Sequence, residues 1–359
     1  MFSFLKNIFK SGARTNSIAE LEGVHFAEAV LQNLILDQNA PGISVTLVHN
    51  GVTLLKKGYG YSDLDNKIPV SVENTLFRIA SISKCITGLA LGRMVEEGIV
   101  DWDDSFFSHV PYFPKKEFDF TLRQLASHTA GIRGYRGKEF ALNQPYSIKE
   151  SIDVFKNDAL VFEPGQGYLY NSFDFVLLSL AMQEASGIPF ELYVQEKVLS
   201  PLGMHATKTP LELNALEDFS ISEFYSNYAL GFRKASPVQN FYKIAGGGYL
   251  STSEDVAKMG LAILEKRLLK KETYEELFSA VHINGISKYY GLGFQVSQDK
   301  VGRTFVGHVG SSVGAYTNFF VYPKQKLVIS LVMNCSDPKI QPLLDTVYDK
   351  VFRVLNHEI

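Results

Sequence analysis

The chain is predicted to be an α/β (α+β) protein. One antiparallel sheet is assembled from both termini and flanked by helices, and a mainly helical domain is inserted between the two halves. Two observations carry this. Strand-like runs occur near residues 42–61 and again from about 287 to 334. Between them, residues 75–235 read mostly as helical pattern broken by Pro- and Gly-containing loops. The expected division is a sheet domain over 21–74 and 236–359, an inserted helical domain over 75–235, and a poorly ordered leader over 1–20.

Residues 22–38 have the apolar spacing of an amphipathic helix. GISVTLVH and VTLLKKGYGY then flank Asn50-Gly51, a strong hairpin signal. Helical patterns follow at 82–97, 121–127, 148–157, 173–186 and 190–198. The first of these closes at Gly98, as a helix C-terminus favours. Strand character returns near 287–298 and is clear in RTFVGHVG, AYTNFFVYP and KLVISLVMN. A helix over about 338–356 ends the pattern.

With 359 residues, 46 % hydrophobic and 20 % charged, the chain is long enough for a substantial core. A net charge of −3 supplies no basic excess for nucleic acid. Cys85 and Cys335 sit in apolar stretches, and two cysteines do not make a disulfide framework. The eight histidines are scattered, with no His-Glu-x-x-His, so neither a metal nor a cofactor is expected. In MFSFLKNIFKSGAR, Lys6 and Lys10 interrupt the apolar run a secretory signal needs. Phe2, Leu5 and Phe9 could share the face of a short interfacial anchor, and a frayed leader is the expected state. No stretch is long enough to span a bilayer, and a cytoplasmic location is expected.

The chemistry concentrates in TLFRIASISKCITGLALGRMVEEG, Thr75 to Gly98. Ser-x-x-Lys occurs four times, at Ser3/Lys6, Ser81/Lys84, Ser297/Lys300 and Ser336/Lys339, and only Ser81 leads into a long apolar helix. An amine three residues on shares a helix face with the hydroxyl and is placed to take its proton. The helix N-terminus favours negative charge developing there.

A second proton relay is expected at Tyr170. It follows the Pro164-Gly165 turn and directly precedes a helix. The positive helix end and a nearby ammonium would favour its phenolate. The anion-stabilising wall is expected in HVGSSVGAYTNFFVYP, where Gly310 would let a ligand approach the backbone. The N–H groups of Ser81 and Ser311 would then form a two-donor oxyanion hole.

These three sites, in this order, resemble the serine β-lactamase and penicillin-recognising hydrolases (class C β-lactamase-like, peptidase family S12). The marks of that family are Ser-x-x-Lys, Tyr-x-Asn, and Lys-Thr-Gly or His-x-Gly. The resemblance covers about residues 40–335 and implies a β-lactamase/transpeptidase-like fold. RIASISK and SHTAGIRGY are most similar to the mitochondrial serine β-lactamase-like branch and its bacterial relatives. LRQLASHTAGIRGY and AGGGYLSTSEDVAKMG also match, as framing stretches without a catalytic role.

The resemblance implies Ser81 as acylated nucleophile, Lys84 as its base, Tyr170 as relay, and His308 with Gly310 as the third motif. Ser172 stands where the family usually has a substrate-holding asparagine. His308 replaces a lysine, so a permanent cation is missing. If His308 must be neutral to work, activity should rise through pH 6–7. Tyr225-Ser226-Asn227, His49-Asn50-Gly51 and the Gly-x-Ser-x-Gly at Gly310–Gly314 are literal motif matches in unsuitable contexts.

The implied activity is a serine hydrolase acting through an acyl-enzyme on ester or amide (peptide) substrates, with at most weak β-lactam turnover. A β-lactamase or D-Ala-D-Ala carboxypeptidase is the first alternative. A silent scaffold or filament-forming protein of the same fold is the second. The expected partner is a small-molecule or peptide substrate, and a homo-oligomer is possible.

Overall fold

The computed structural model describes residues 18–212, 218–228 and 231–355. Most of the expected leader, residues 1–17, lies outside the described residues. Its end, Ile18–Glu20, forms a 3₁₀ turn.

Seven strands make the main sheet: β1 (Gly42–His49), β2 (Val52–Asp63), β3 (Ile68–Pro69), β4 (Gln295–Gln298), β5 (Thr304–Ser312), β6 (Ala315–Tyr322) and β7 (Leu327–Met333). Their order is β4-β5-β6-β7-β1-β2-β3, and every pairing is antiparallel. The two ends of the chain meet where β1 pairs β7, with Ile43 opposite Met333. Asn50 and Gly51 both take positive φ, +49° and +78°, which fits the tight turn that matches strand twist.

Six helices matter for the site and its support: α1 (Gly23–Leu36), α2 (Ser83–Glu96), α3 (Leu122–Ala126), α4 (Phe173–Ser186), α5 (Ser253–Glu265) and α6 (Gln341–Leu355). On α6, Leu344, Val347, Tyr348, Val351, Phe352 and Leu355 form one apolar stripe. With α1 it covers the sheet face carrying Ile43, Val45, Ile329 and Leu331. On the opposite face α5 packs on Phe319, Val328 and Val332, and this second core runs on through α2 and α4. Strand side chains alternate between the two faces, so β7, LVISLVM, is buried along its whole length.

Helix α2 is buried from Ser83 to Gly92, and α4 from Phe173 to Met182. An apolar helix without a polar face belongs in the middle of a protein. A short sheet ties the regions together: Thr75–Arg78 pairs Ser220–Ile221 and, antiparallel, Leu250–Ser251. Among the described residues, no helix is long and apolar enough to cross a membrane.

Three expected elements differ. The 148–157 helix is an α-turn, Ile148–Ser151, continued as 3₁₀ to Val154. The strand near 287–298 is split into Ile286–Ser287 and β4, because Tyr289 and Gly293 adopt positive φ between them. The last helix starts at Gln341 because Asp337 and Lys339 are left-handed.

Candidate active site

The chain enters the site through Ile79–Ala80, a turn held from both sides. Ile79 N–H donates to the Tyr249 carbonyl at 3.1 Å, and Thr317 Oγ1 donates to the Ile79 carbonyl at 3.2 Å. Ala80 has φ +48°, a left-handed conformation that costs an alanine energy and persists where surroundings impose it. A 3₁₀ turn, Ala80–Ile82, then presents Ser81 directly before α2.

Lys84 is fully buried, with Nζ 3.4 Å from Ser81 Oγ and donating at 2.7 Å to the Gly246 carbonyl. Burial pulls its pKa from 10.5 down to about 7, against the opposing pull of Cys85 and Asp174. The amine is therefore half neutral near pH 7 and able to accept a proton. The Gly246 stretch clamps the same helix twice more, Thr87 Oγ1 donating to the Ala245 carbonyl at 2.8 Å and Tyr249 N–H to Ser83 Oγ at 3.3 Å.

Tyr170 reaches Ser81 with its hydroxyl 2.7 Å from Oγ, while its ring stays 40 % exposed along the cleft. Lys84 Nζ lies 4.7 Å from the centre of that ring. Desolvation of the hydroxyl end raises the Tyr170 pKa well above 10, outweighing the Ser81 hydrogen bond. The group is thus a phenol, and the expected phenolate is corrected: burial outweighs the helix end and the ammonium.

Beneath Tyr170 lies a pair the sequence reading passed over. His128, fully buried, sits with its ring centre 4.6 Å from that of Tyr170, and its Nδ1 is 2.8 Å from Asp174 Oδ2. Asn171 donates to the same carboxyl at 2.7 Å and accepts the Asp174 N–H at 2.8 Å, capping α4. Burial pushes the His128 pKa well below its usual value and that of Asp174 well above its own.

Both framing stretches thus reach the site, one through His128 and the other through Gly246. Asp174, in the first turn after Tyr170, was the legible signal for the pair.

His308 lies on β5, 1 % exposed, and does not touch Ser81 Oγ directly. Its Nδ1 donates to the Val309 carbonyl at 2.6 Å, which leaves Nε2 to accept from the Tyr290 hydroxyl at 3.1 Å. Burial first, and Lys84 second, push its pKa down to about 3. It is neutral at all working pH, so the expected titration of His308 through pH 6–7 is corrected. Tyr290, also missed, joins His128, Tyr168, Tyr170 and His308 in one aromatic cluster.

Gly310 also differs from expectation. A Cβ there would meet Thr317 Oγ1 at 2.2 Å and the Ile79 carbonyl at 2.9 Å. The space it leaves is taken by the turn that presents Ser81. Ser311 pairs Tyr316 across the hairpin, and Val309, two residues earlier, donates its N–H off the β6 side to Gln295 Oε1 at 3.1 Å. Antiparallel alternation points the Ser311 N–H to that same edge.

Ser81, Tyr170, Tyr290, His308 and Ser311 line a cleft of about 570 Å³. Ser81 and Ser311 also open onto a recess of about 100 Å³, lined by Ser172. A larger groove of about 740 Å³ beside Asn50-Gly51 has no serine, threonine or cysteine in its lining. Tyr225 is elsewhere, its hydroxyl accepting the Leu64 N–H at 2.8 Å. Among the described residues, no three His, Cys, Asp or Glu side chains are grouped to hold a metal.

The Beta-lactamase family profile matches residues 25–351. The human mitochondrial serine beta-lactamase-like protein LACTB is 29 % identical over 383 residues, covering 80 % of this chain and 69 % of its own. Penicillin-binding protein 4* of Bacillus subtilis is 25 % identical, covering 81 % and 67 %. Among solved structures, the octameric penicillin-binding protein homologue from Pyrococcus abyssi superposes with a TM-score of 0.79 at 25 % identity, over 92 % of this chain and 77 % of that one. The D-amino acid amidase of Ochrobactrum anthropi SV3 shares the fold, with a TM-score of 0.76 at 20 % identity over 91 % and 99 %. With nearly its whole described length matched, and its serine, lysine and tyrosine converging, the chain belongs to the Beta-lactamase family.

Proposed function

We propose that the protein is a serine hydrolase that cleaves esters or amides through an acyl-enzyme on Ser81. The carrying observation is convergence on one oxygen: Tyr170 OH at 2.7 Å and Lys84 Nζ at 3.4 Å from Ser81 Oγ. Neutral Lys84 takes the Ser81 proton as Oγ bonds to the substrate carbonyl carbon. The carbonyl π pair moves to oxygen, which sits between the N–H groups of Ser81 and Ser311. As the intermediate collapses, the Tyr170 phenol protonates the leaving group and is reprotonated from the Lys84 ammonium. Water then attacks the acyl carbonyl, gives its proton back to this relay, and releases the acid and free Ser81.

Small esters and peptides are favoured over β-lactams. Neutral, doubly engaged His308 supplies no cation for a substrate carboxylate, and Ser172 supplies no side-chain amide. Self-association is the further reading that the octameric Pyrococcus abyssi homologue supports.

The test is intact-protein and peptide mass spectrometry after exposure to a fluorophosphonate and, separately, a fluorescent penicillin. A fluorophosphonate adduct on Ser81 with little penicillin adduct is expected, and Ser81→Ala should abolish it. A stable penicillin adduct on Ser81 would favour a penicillin-recognising enzyme. Labelling that persists in Ser81→Ala, or is absent from both probes, would overturn the reading.

A further inference from the structure

Ser81 and Ser311 face two spaces, and the spaces differ in chemistry. The 570 Å³ cleft contains Tyr170, Tyr290 and His308. The 100 Å³ recess contains none of these and is lined instead by Tyr135, Ser172, Asn240, Lys243 and Ser312. A substrate carbonyl held at Ser81 and Ser311 must send one substituent into each. The leaving group takes its proton from Tyr170, so it belongs in the cleft. The acyl substituent is left with the recess.

The lining of the recess includes a lysine. Lys243 is 8 % exposed, and its Nζ donates at 2.8 Å to the Phe140 carbonyl. Arg78 and Lys84 act on it electrostatically, and each of those also donates to a backbone carbonyl: Val313 and Gly246, both at 2.7 Å. Among the described residues, neither Lys243 nor Arg78 has a carboxylate partner in an ion pair, and the Lys84 amine has none either. The one carboxyl acting on Lys84, Asp174, is engaged by His128 and Asn171.

Burying like charges without a counter-ion is costly. Burial first, then Arg78 and Lys84, lower the Lys243 pKa only to about 8, so the ammonium form predominates at pH 7. Ser312 adds a buried Oγ with no hydrogen-bond partner. An ammonium and a free hydroxyl together are donors suited to a carboxylate. At about 100 Å³ the recess admits only a short group.

Resting on the reading of Ser81 as the acylated nucleophile, we propose that the recess is an acyl-side specificity pocket in which Lys243 selects short acyl groups ending in a carboxylate. The substrate class is then a monoester or monoamide of a short dicarboxylic acid.

Two alkylboronic acids separate this proposal from the reading beneath it. Ser81 Oγ adds to boron while its proton passes to Lys84, giving a tetrahedral anionic boronate that leaves the alkyl group on the acyl side. Calorimetric titration compares 3-boronopropanoic acid with propylboronic acid. The carboxylated compound should bind at least tenfold more tightly to the unaltered protein. In Lys243→Met the ratio should fall within twofold, and in Lys243→Arg a clear preference should remain. Equal binding by the unaltered protein, or a preference that survives Lys243→Met, overturns the pocket while propylboronic acid still reports an active Ser81. Loss of both, or propylboronic acid binding equally well to Ser81→Ala, overturns the nucleophile and the pocket with it. The comparison on the unaltered protein decides the matter even if Lys243→Met fails to fold.

Discussion

Burial holds the Lys84 amine near pH 7, and the sign of the pH response follows from which form does the work. In the proposed mechanism the base is the neutral amine, which predominates above its pKa. The rate of Ser81 labelling by a fluorophosphonate should therefore rise across about pH 6–8 and level off. His308 is neutral throughout that range. A profile flat between pH 5 and 9 would count against Lys84 as the base. Tyr170, whose hydroxyl touches Ser81 Oγ, has the larger expected effect on substitution. Tyr170→Phe should lower kcat/KM by about 10²- to 10⁴-fold. Tyr225→Phe, at a literal Tyr-x-Asn whose hydroxyl instead accepts the Leu64 N–H, should leave kcat/KM unchanged.

Among elements, the contact between β5 and the turn before α2 is the most demanding. Gly310 lies against Ile79, Ala80 and Thr317, and Ala80 is already left-handed. Gly310→Ala has no space for its methyl unless the strand or the turn moves. Overpacking of this kind costs about 1–3 kcal/mol, and here the displaced atoms carry the nucleophile. Stability measured in urea should fall by that amount, and Ser81 labelling should slow even where the variant is fully folded. Labelling at the unaltered rate would show that the turn tolerates displacement. The His128–Asp174 pair fixes another element, since Asp174 also joins the cap of α4 directly after Tyr170.

For the whole molecule, the sheet separates two cores, and only one of them adjoins the site. Phe352 on α6 lies in the other, with its ring centre 4.7 Å from that of Tyr322 and the Arg303 guanidinium 3.9 Å from its own. Phe352→Ala should cost about 3–5 kcal/mol by leaving a cavity. It should not change kcat per folded molecule, because the sheet stands between this core and Ser81. A large fall in kcat at full folding would show that the two faces are coupled.

Local pattern alone determined much of this protein. Residue spacing marked α2, α4 and the β1–β2 hairpin, because apolar period, Gly98 and Asn50-Gly51 act within a few residues of themselves. It also separated Ser81 from three other Ser-x-x-Lys pairs, since only Ser81 leads into a long apolar helix. The tertiary structure decided what depends on distant neighbours. Burial turned Tyr170 into a phenol and His308 into a permanently neutral ring, against expectations drawn from their local chemistry. Contacts across 46 residues joined His128 to Asp174, and contacts across 162 residues joined Lys84 to Gly246. Lys243 had no local signal at all. Desolvation and long-range pairing are properties of the packed interior, and a sequence window holds neither.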